Sequence, residues 1–265
     1  MPEVIEIDRA DDPRLDDFRD LSMADRRPDR PGGRGLVIAE GVVVVRRLIS
    51  SGYPVRALLG VARRIEELEP DLADLDVPAY VAPAELMAEV VGFHLNRGVL
   101  ATADRKPQPR LNELAPQCRN IALLEGVTDH ENLGSLFRNA AALGIDGVVL
   151  AHGCSDPLYR RSVRVSMGHV LRVPFTVMPY WNLGLKTLRE HGFTIAALTP
   201  AADAESLAEA DLGQKTALLL GSEGHGLSEQ AMADADLRVR IPMAGLVDSL
   251  NVATAAAIAF YQVTA

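Results

Sequence analysis

Cysteine is nearly absent from this chain of 265 residues: Cys118 and Cys154 are the only two, and neither sits in a CxxC pair. That excludes a disulfide scaffold and a zinc ribbon, and it fits two thiols kept in a reducing cytoplasm. Long hydrophobic runs are missing too. The apolar stretches that begin at Ile195 and Ala253 fall far short of the ~20 residues a membrane span needs. The opening residues, MPEVIEIDRADD, are acidic and lack an apolar core, so no secretion signal is expected and the location expected is cytoplasmic. Lysine is scarce: Lys106, Lys186 and Lys215 stand alone among 27 cations, so an anion site here is expected to use arginine forks. The formal charge is −9, against the basic balance usual in nucleic-acid binders. No metal-ligand spacing joins the six histidines, and no metal is expected. The remaining composition, 48% apolar and 24% charged, is that of a globular chain and excludes disorder as the main state.

Texture along the chain predicts four regions. Residues 1–34, rich in Asp, Arg and Pro, read as a flexible arm with a short helix around Pro13–Met23. Residues 35–105 alternate helix and strand, which predicts a small α/β domain. Within it, residues 36–52 read as a helix ended by Gly52, with Val42, Val45 and Leu48 inward and Arg46 and Arg47 outward. Residues 106–118 carry prolines and mixed charge and read as a linker. Residues 119–265 alternate apolar strands with helices, from the strand at Ile121–Val127 to a last helix over Val247–Tyr261. That pattern predicts a mostly parallel sheet covered on both faces. Ligands in such sheets bind outside the carboxyl ends of the strands.

Polar and glycine residues follow buried strands in three places. In Thr128–Gly144, Asn132 reads as lying at or before a helix start, where plain capping would account for it. Arg138, on the second turn beside Phe137 and Ala140, is expected to have a bound partner. In Leu218–Glu229, Gly221, Gly224 and Gly226 are spaced GxxGxG. That is neither a dinucleotide fingerprint nor a phosphate loop, and it leaves a turn where backbone can approach a ligand closely. In Ile241–Tyr261, Asp248, Ser249 and Asn251 stand at the entrance of a small-residue helix. Ser249 reads as the cap, and Asn251, just inside, is poorly explained by capping. A fourth stretch, Tyr159–Phe175, gathers Arg160, Arg161, Arg164 and Arg172 into a local basic patch.

Taken together and in this order, these segments resemble the SpoU (TrmH) family of RNA ribose 2′-O-methyltransferases in the SPOUT superfamily. Asn132, Gly134 and Arg138 match its first motif, Leu220–Gly226 its second, and Ile241–Pro242–Met243 with Ser249–Leu250–Asn251–Val252 its third. The resemblance runs from about Asn120 to Ala265. The family usually has proline after the first-motif aspartate; here His130 follows Asp129. Leu36–Ala103 resembles, through AEGVVVVRRLI and NRGVLATA, the L30e-like RNA substrate-binding domain that precedes the catalytic domain in many members.

The resemblance implies an α/β fold with a SPOUT-type, mostly parallel sheet and a C-terminal deep trefoil knot, preceded by a small L30e-like α/β domain. It implies S-adenosylmethionine as cofactor, and a homodimer with both active sites at or near its interface. It implies methyl transfer to a ribose 2′-hydroxyl of structured RNA, 23S rRNA in preference to tRNA. Arg138 would be catalytic, with Asn132 orienting it or the ribose and Glu223, Ser249 and Asn251 completing the site. Leu198, Thr199, Gly221, Ile241, Met243 and Leu250 would hold the cofactor. Arg46, Arg47, Arg56, Arg97, Arg160, Arg161, Arg164 and Arg172 would face RNA. Two rivals stand beside this. One is a non-catalytic RNA-binding protein on a methyltransferase-like fold. The other is a nicotinamide-dependent oxidoreductase, against which the lack of GxGxxG after Ile121–Val127 counts.

Overall fold

Gly41 ends a strand and starts a helix in the first half of the chain, and Asn251 starts the last helix in the second. The computed structural model describes residues 3–21, 35–151, 153–178, 180–244 and 247–265. Two compact units emerge: Met1–Pro107 with Asp156–Arg172, and Gln108–Ser155 with Val173–Ala265.

The first unit contains β1 (Val4–Glu6), β2 (Val37–Glu40), α1 (Val42–Ile49), β3 (Val55–Gly60), α2 (Ala62–Leu72), β4 (Ala79–Val81), α3 (Ala84–Val91) and β5 (Val99–Ala103). Its sheet has the order β1-β4-β3-β5-β2; β1, β4 and β3 run parallel, and β5 is antiparallel to β3 and β2. The single helix expected over residues 36–52 is corrected to a strand and a helix. Gly41 sits at φ +90°, a conformation that glycine reaches without strain, and the chain turns there from β2 into α1. The flexible arm is corrected as well over its described part. Val4–Glu6 add a strand beside β4, and a 3₁₀ helix over Pro13–Phe18 buries Leu15 and Phe18 completely. Phe18 meets Tyr80 edge to face at 6.5 Å. Residues 22–34 of that arm lie outside the described residues. Residues 156–172, expected in the second block, belong to the first unit, where α6 (Arg160–Val165) packs on β2.

The second unit opens with α4 (Leu111–Leu114), so the linker expected over 106–118 is corrected from Leu111 onward. Leu114, Ala115 and Cys118 are core residues. There follow β6 (Asn120–Leu124), α5 (His130–Ala142), β7 (Gly147–Leu150), β8 (Phe175–Val177), α7 (Trp181–Glu190), β9 (Thr194–Leu198), β10 (Glu205–Ser206), β11 (Thr216–Leu220), α8 (Glu229–Asp234), β12 (Leu237–Arg240) and α9 (Val252–Thr264). All seven strands are parallel, in the order β10-β12-β9-β11-β6-β7-β8. β11, the central run TALLL, is buried at every position, as a strand covered on both faces must be. α9 lies against α5, with Ala253, Ala256 and Ala259 small enough for close approach, and Asn139 Nδ2 donates to the Ala253 carbonyl at 2.8 Å. Among the described residues no helix is long and apolar enough to cross a membrane.

Candidate functional site

The second unit's parallel strands end on one edge, and four of those ends carry the site. Thr199 follows β9, Gly221 follows β11, Ile241 follows β12 and Glu125 follows β6. The first three border a cavity of about 620 Å³, which lies in the range of small-molecule sites. All six residues expected to hold a cofactor, Leu198, Thr199, Gly221, Ile241, Met243 and Leu250, line it, as do Glu223, Ser249 and Asn251. Leu220, Leu227 and Met232 extend its apolar wall, and His225 and Asp248 stand among its polar groups.

The glycine turn shapes one side of that cavity. A Cβ on Gly221 would lie 2.3 Å from the carbonyl carbon of Gly226 and 2.4 Å from the nitrogen of Leu227, so only glycine fits. Gly224 and Gly226 take φ +87° and +68°. The loop closes on itself: Ser222 N–H donates to the Gly226 carbonyl at 3.1 Å, and Gly226 N–H donates back to Ser222 at 3.0 Å.

Two helix starts supply the polar residues, and both differ from expectation. Asp129, not Asn132, caps α5: its Oδ1 accepts from the N–H groups of Glu131 and Asn132, both at 2.8 Å. His130 fills the first helical position, where the usual proline would fit because that position has no intrahelical N–H partner to lose. Asn132 is therefore inside the first turn, with its side chain available. Asn251, not Ser249, caps α9: its Oδ1 accepts from Ala253 N at 2.9 Å and Thr254 N at 3.2 Å. Its Nδ2 then donates to Asn132 Oδ1 at 2.9 Å and to Glu223 Oε1 at 2.5 Å. Three segments far apart in sequence thus meet at the cavity through one amide.

Arg138 stands apart from this cluster. It is exposed on α5 and does not line the cavity: Leu133, Leu136, Phe137 and Ala140 face inward and Arg138 faces solvent. The arginines of the first unit are largely engaged within it. Arg46 pairs with Asp71 at 2.8 Å, and Arg47 donates to the Met167 carbonyl at 2.5 Å. Arg56 bridges Asp17 and Asp104, and Arg172 donates to Ser50 Oγ at 2.6 Å. Arg97 reaches the Glu40 carbonyl at 3.5 Å. Arg160 and Arg164 stand 3.4 and 4.0 Å from the buried Glu40 carboxylate, and Arg160 also lies over the Phe93 ring at 4.2 Å. Burial lowers the Arg160 guanidinium from its ordinary value, with Glu40 opposing. Arg161 is exposed.

Two residues beside the cavity escaped the sequence reading as partners. Glu125 and Ser228 join at 2.7 and 2.9 Å, and the only signal was a carboxylate interrupting the apolar run at the end of β6. Burial raises both thiols; Cys154 sits near the end of β6 with its Sγ toward the Leu124 carbonyl at 3.3 Å. Among the described residues no group of three or more His, Cys, Asp or Glu could hold a metal ion.

Residues 119–261 match the model of the SpoU rRNA methylase family. An uncharacterized tRNA/rRNA methyltransferase of Mycobacterium tuberculosis is 56% identical over 257 residues, covering 96% of this chain and 89% of that protein. Among solved structures, the SpoU methyltransferase AviRb from Streptomyces viridochromogenes, in complex with the cofactor AdoMet, is similar with TM-score 0.77 and 26% identity, over 96% of this chain and 97% of that one. An AdoMet-bound rRNA methyltransferase from Sinorhizobium meliloti shares the fold, with TM-score 0.83 and 24% identity over 98% and 97% of the two chains.

Proposed function

Because the chain belongs to the SpoU rRNA methylase family and is an RNA methyltransferase, we propose that it binds S-adenosylmethionine in the strand-end cavity and methylates a ribose 2′-hydroxyl of structured RNA, ribosomal RNA in preference to tRNA. The observation that carries this is the meeting of Asn132, Glu223 and Asn251 at the rim of a cavity bordered by three strand ends. The residues present suit the donor. Leu198, Leu220, Ile241 and Leu250 offer apolar surface to a nucleoside, the bare backbone of Gly221 permits close approach, and the Glu223 and Asp248 carboxylates suit a sulfonium cation.

When bound, the donor supplies an electrophilic methyl group. The chain has to place and polarise the 2′-hydroxyl that accepts it. Asn251, held by its own cap bonds, fixes Asn132 and Glu223 relative to each other, so the rim is ordered before substrate arrives. Alignment of this kind contributes about 7–11 kcal/mol to such reactions. A guanidinium offers hydrogen-bond donors and no acceptor, so Arg138 has no lone pair with which to take the hydroxyl proton. Its role is therefore electrostatic: holding an RNA phosphate and stabilising the oxygen as it gains charge. An exposed guanidinium on α5, six residues beyond Asn132 and roughly 9 Å along the helix, suits a backbone phosphate near the reacting ribose. RNA recognition is then by phosphate and an exposed ribose.

The trefoil knot, the L30e-like character of the first unit and the homodimer belong to the same proposal. Ile258 and Tyr261, three residues apart on α9, leave apolar surface exposed, which a second copy of the chain would cover. Mapping 2′-O-methyl sites across total RNA from cells with and without the protein tests the reading. A site that vanishes with the protein supports it. Binding of S-adenosylmethionine without transfer to any RNA would favour the non-catalytic RNA-binding alternative.

A further inference from the structure

The loop from Gly221 to Leu227 is fixed at both ends to the same strand end. At its start, β11 is paired with β6, and the N–H of Glu125, the first residue past β6, donates to the Leu220 carbonyl at 2.9 Å. At its finish stands Ser228, one residue beyond Leu227. The Glu125 carboxylate takes both donors of that serine: Oε1 accepts from Oγ at 2.7 Å and Oε2 accepts from the backbone N–H at 2.9 Å. Each oxygen of an ionised carboxylate serves one donor, which makes the joint charge-assisted and directional. Ser228 has a second task. With its hydroxyl proton committed to Glu125, its oxygen accepts from Ala231 N–H at 3.1 Å and caps α8.

The loop held between these points carries cavity-lining residues at its start, middle and end: Gly221, Glu223 and Leu227. It has little internal stiffness, because Gly224 and Gly226 lie in it and its own cross-bridge joins only Ser222 and Gly226. Without an external anchor at Ser228, the position of Leu227 would be set by the flexible glycines, whereas Glu223 keeps a second hold through Asn251. Glu125 itself does not line the cavity.

We infer that Glu125 is a positioning residue: acting through Ser228, it holds the Gly221–Leu227 loop in the shape that binds the methyl donor. This rests on the proposed binding of S-adenosylmethionine in that cavity. The inference puts the effect in donor affinity. Glu125→Ala raises the KM and the calorimetric Kd for S-adenosylmethionine by about tenfold, while kcat at saturating donor and the KM for RNA change less than twofold. Glu125→Gln keeps one acceptor and turns an amide N–H₂ toward the Ser228 N–H, so it lies between wild type and Glu125→Ala. Ser228→Ala matches Glu125→Ala, and Ser228→Thr, which keeps hydroxyl and cap, restores affinity to within threefold.

The deciding measurement is a double-mutant cycle in donor affinity, with melting temperatures recorded alongside. If Glu125 acts through Ser228, the double variant Glu125→Ala/Ser228→Ala binds the donor no worse than either single variant. Independent, multiplicative losses would overturn the inference, as would single variants that bind like wild type while wild type binds well. If Glu125→Ala does not fold, Glu125→Gln and Ser228→Ala carry the same comparison. A wild-type chain that binds no S-adenosylmethionine overturns the methyl-transfer reading itself, and this inference with it.

Discussion

Asn251 and Asn132 join the first turn of α5 to the start of α9 through one hydrogen bond of 2.9 Å, and the same Asn251 nitrogen reaches Glu223 at 2.5 Å. Its oxygen meanwhile caps α9. The two jobs separate chemically. Asn251→Asp keeps an oxygen for the cap but loses the amide donor and sets a second carboxylate against Glu223. That variant is expected to keep its melting temperature within a few degrees and to lose methyl transfer at least a hundredfold. Asn251→Ala removes the cap as well and costs about 1 kcal/mol of stability in addition. Denaturant unfolding and methyl transfer, measured on the same preparations, check both.

This asparagine also marks where sequence reading stopped. The segments bearing Asn132, Glu223 and Asn251 were recognisable one by one, because polar residues directly after buried strands are conspicuous. Which residue caps which helix was not. Asp129 and Asn132, or Ser249 and Asn251, are equally good caps by type, and the choice depends on where tertiary packing lets the helix begin. Strand β2 was hidden because Val37–Glu40 run without punctuation into the apolar α1, and only the positive φ of Gly41 divides them. The order of residues 3–21 was masked by charge: Leu15 and Phe18 are buried anchors among neighbouring aspartates and arginines. The pairing of Glu125 with Ser228 spans 103 positions, a separation at which spacing carries no signal.

Substitution of Arg138 tests whether chemistry and binding separate. It is exposed and outside the cavity lining, so its removal takes away neither core packing nor donor contacts. Arg138→Ala is expected to leave S-adenosylmethionine affinity within twofold of wild type and to abolish methyl transfer. Arg138→Lys keeps the charge but loses the planar fork, and recovers only a small part of the rate. Calorimetry with the donor and transfer to total RNA measure the two effects separately. Near wild-type turnover in Arg138→Ala would remove this residue from the mechanism.

Within the first unit, Glu40 is 5% exposed and its carboxylate faces Arg160 at 3.4 Å and Arg164 at 4.0 Å. Removing one partner of such a pair leaves a buried charge poorly compensated, at a cost of about 3–5 kcal/mol. Arg160→Ala also deletes the contact with Phe93. It is expected to destabilise at the upper end of that range, and Glu40→Gln less, because a neutral amide can still accept from Arg160. The double variant Glu40→Leu/Arg160→Met removes both charges and should be more stable than Arg160→Ala alone. Chemical denaturation of the four proteins gives the ordering, and an Arg160→Ala protein as stable as wild type would show that the pair contributes nothing.

Cys118 links stability to high pH. Burial beside Leu114 and Gly147, helped by the Asp146 carboxylate and opposed by Lys215, raises its thiol from an ordinary value of 9.0 to about 11. A thiol whose folded value is raised favours folding while it stays protonated. The contribution is fully present below about pH 9 and is lost as pH rises through about 11, because the unfolded chain releases its proton first. The loss amounts to at most about 3 kcal/mol. Cys118→Ala lacks the titrating group, so its stability is expected to fall less steeply between pH 9 and 11 than that of wild type, even if it starts lower because a small cavity opens. Equal slopes for the two proteins over that window would show that the thiol does not titrate differently on folding. The same burial predicts that thiol reagents label Cys118 in the native protein only at the rate of unfolding.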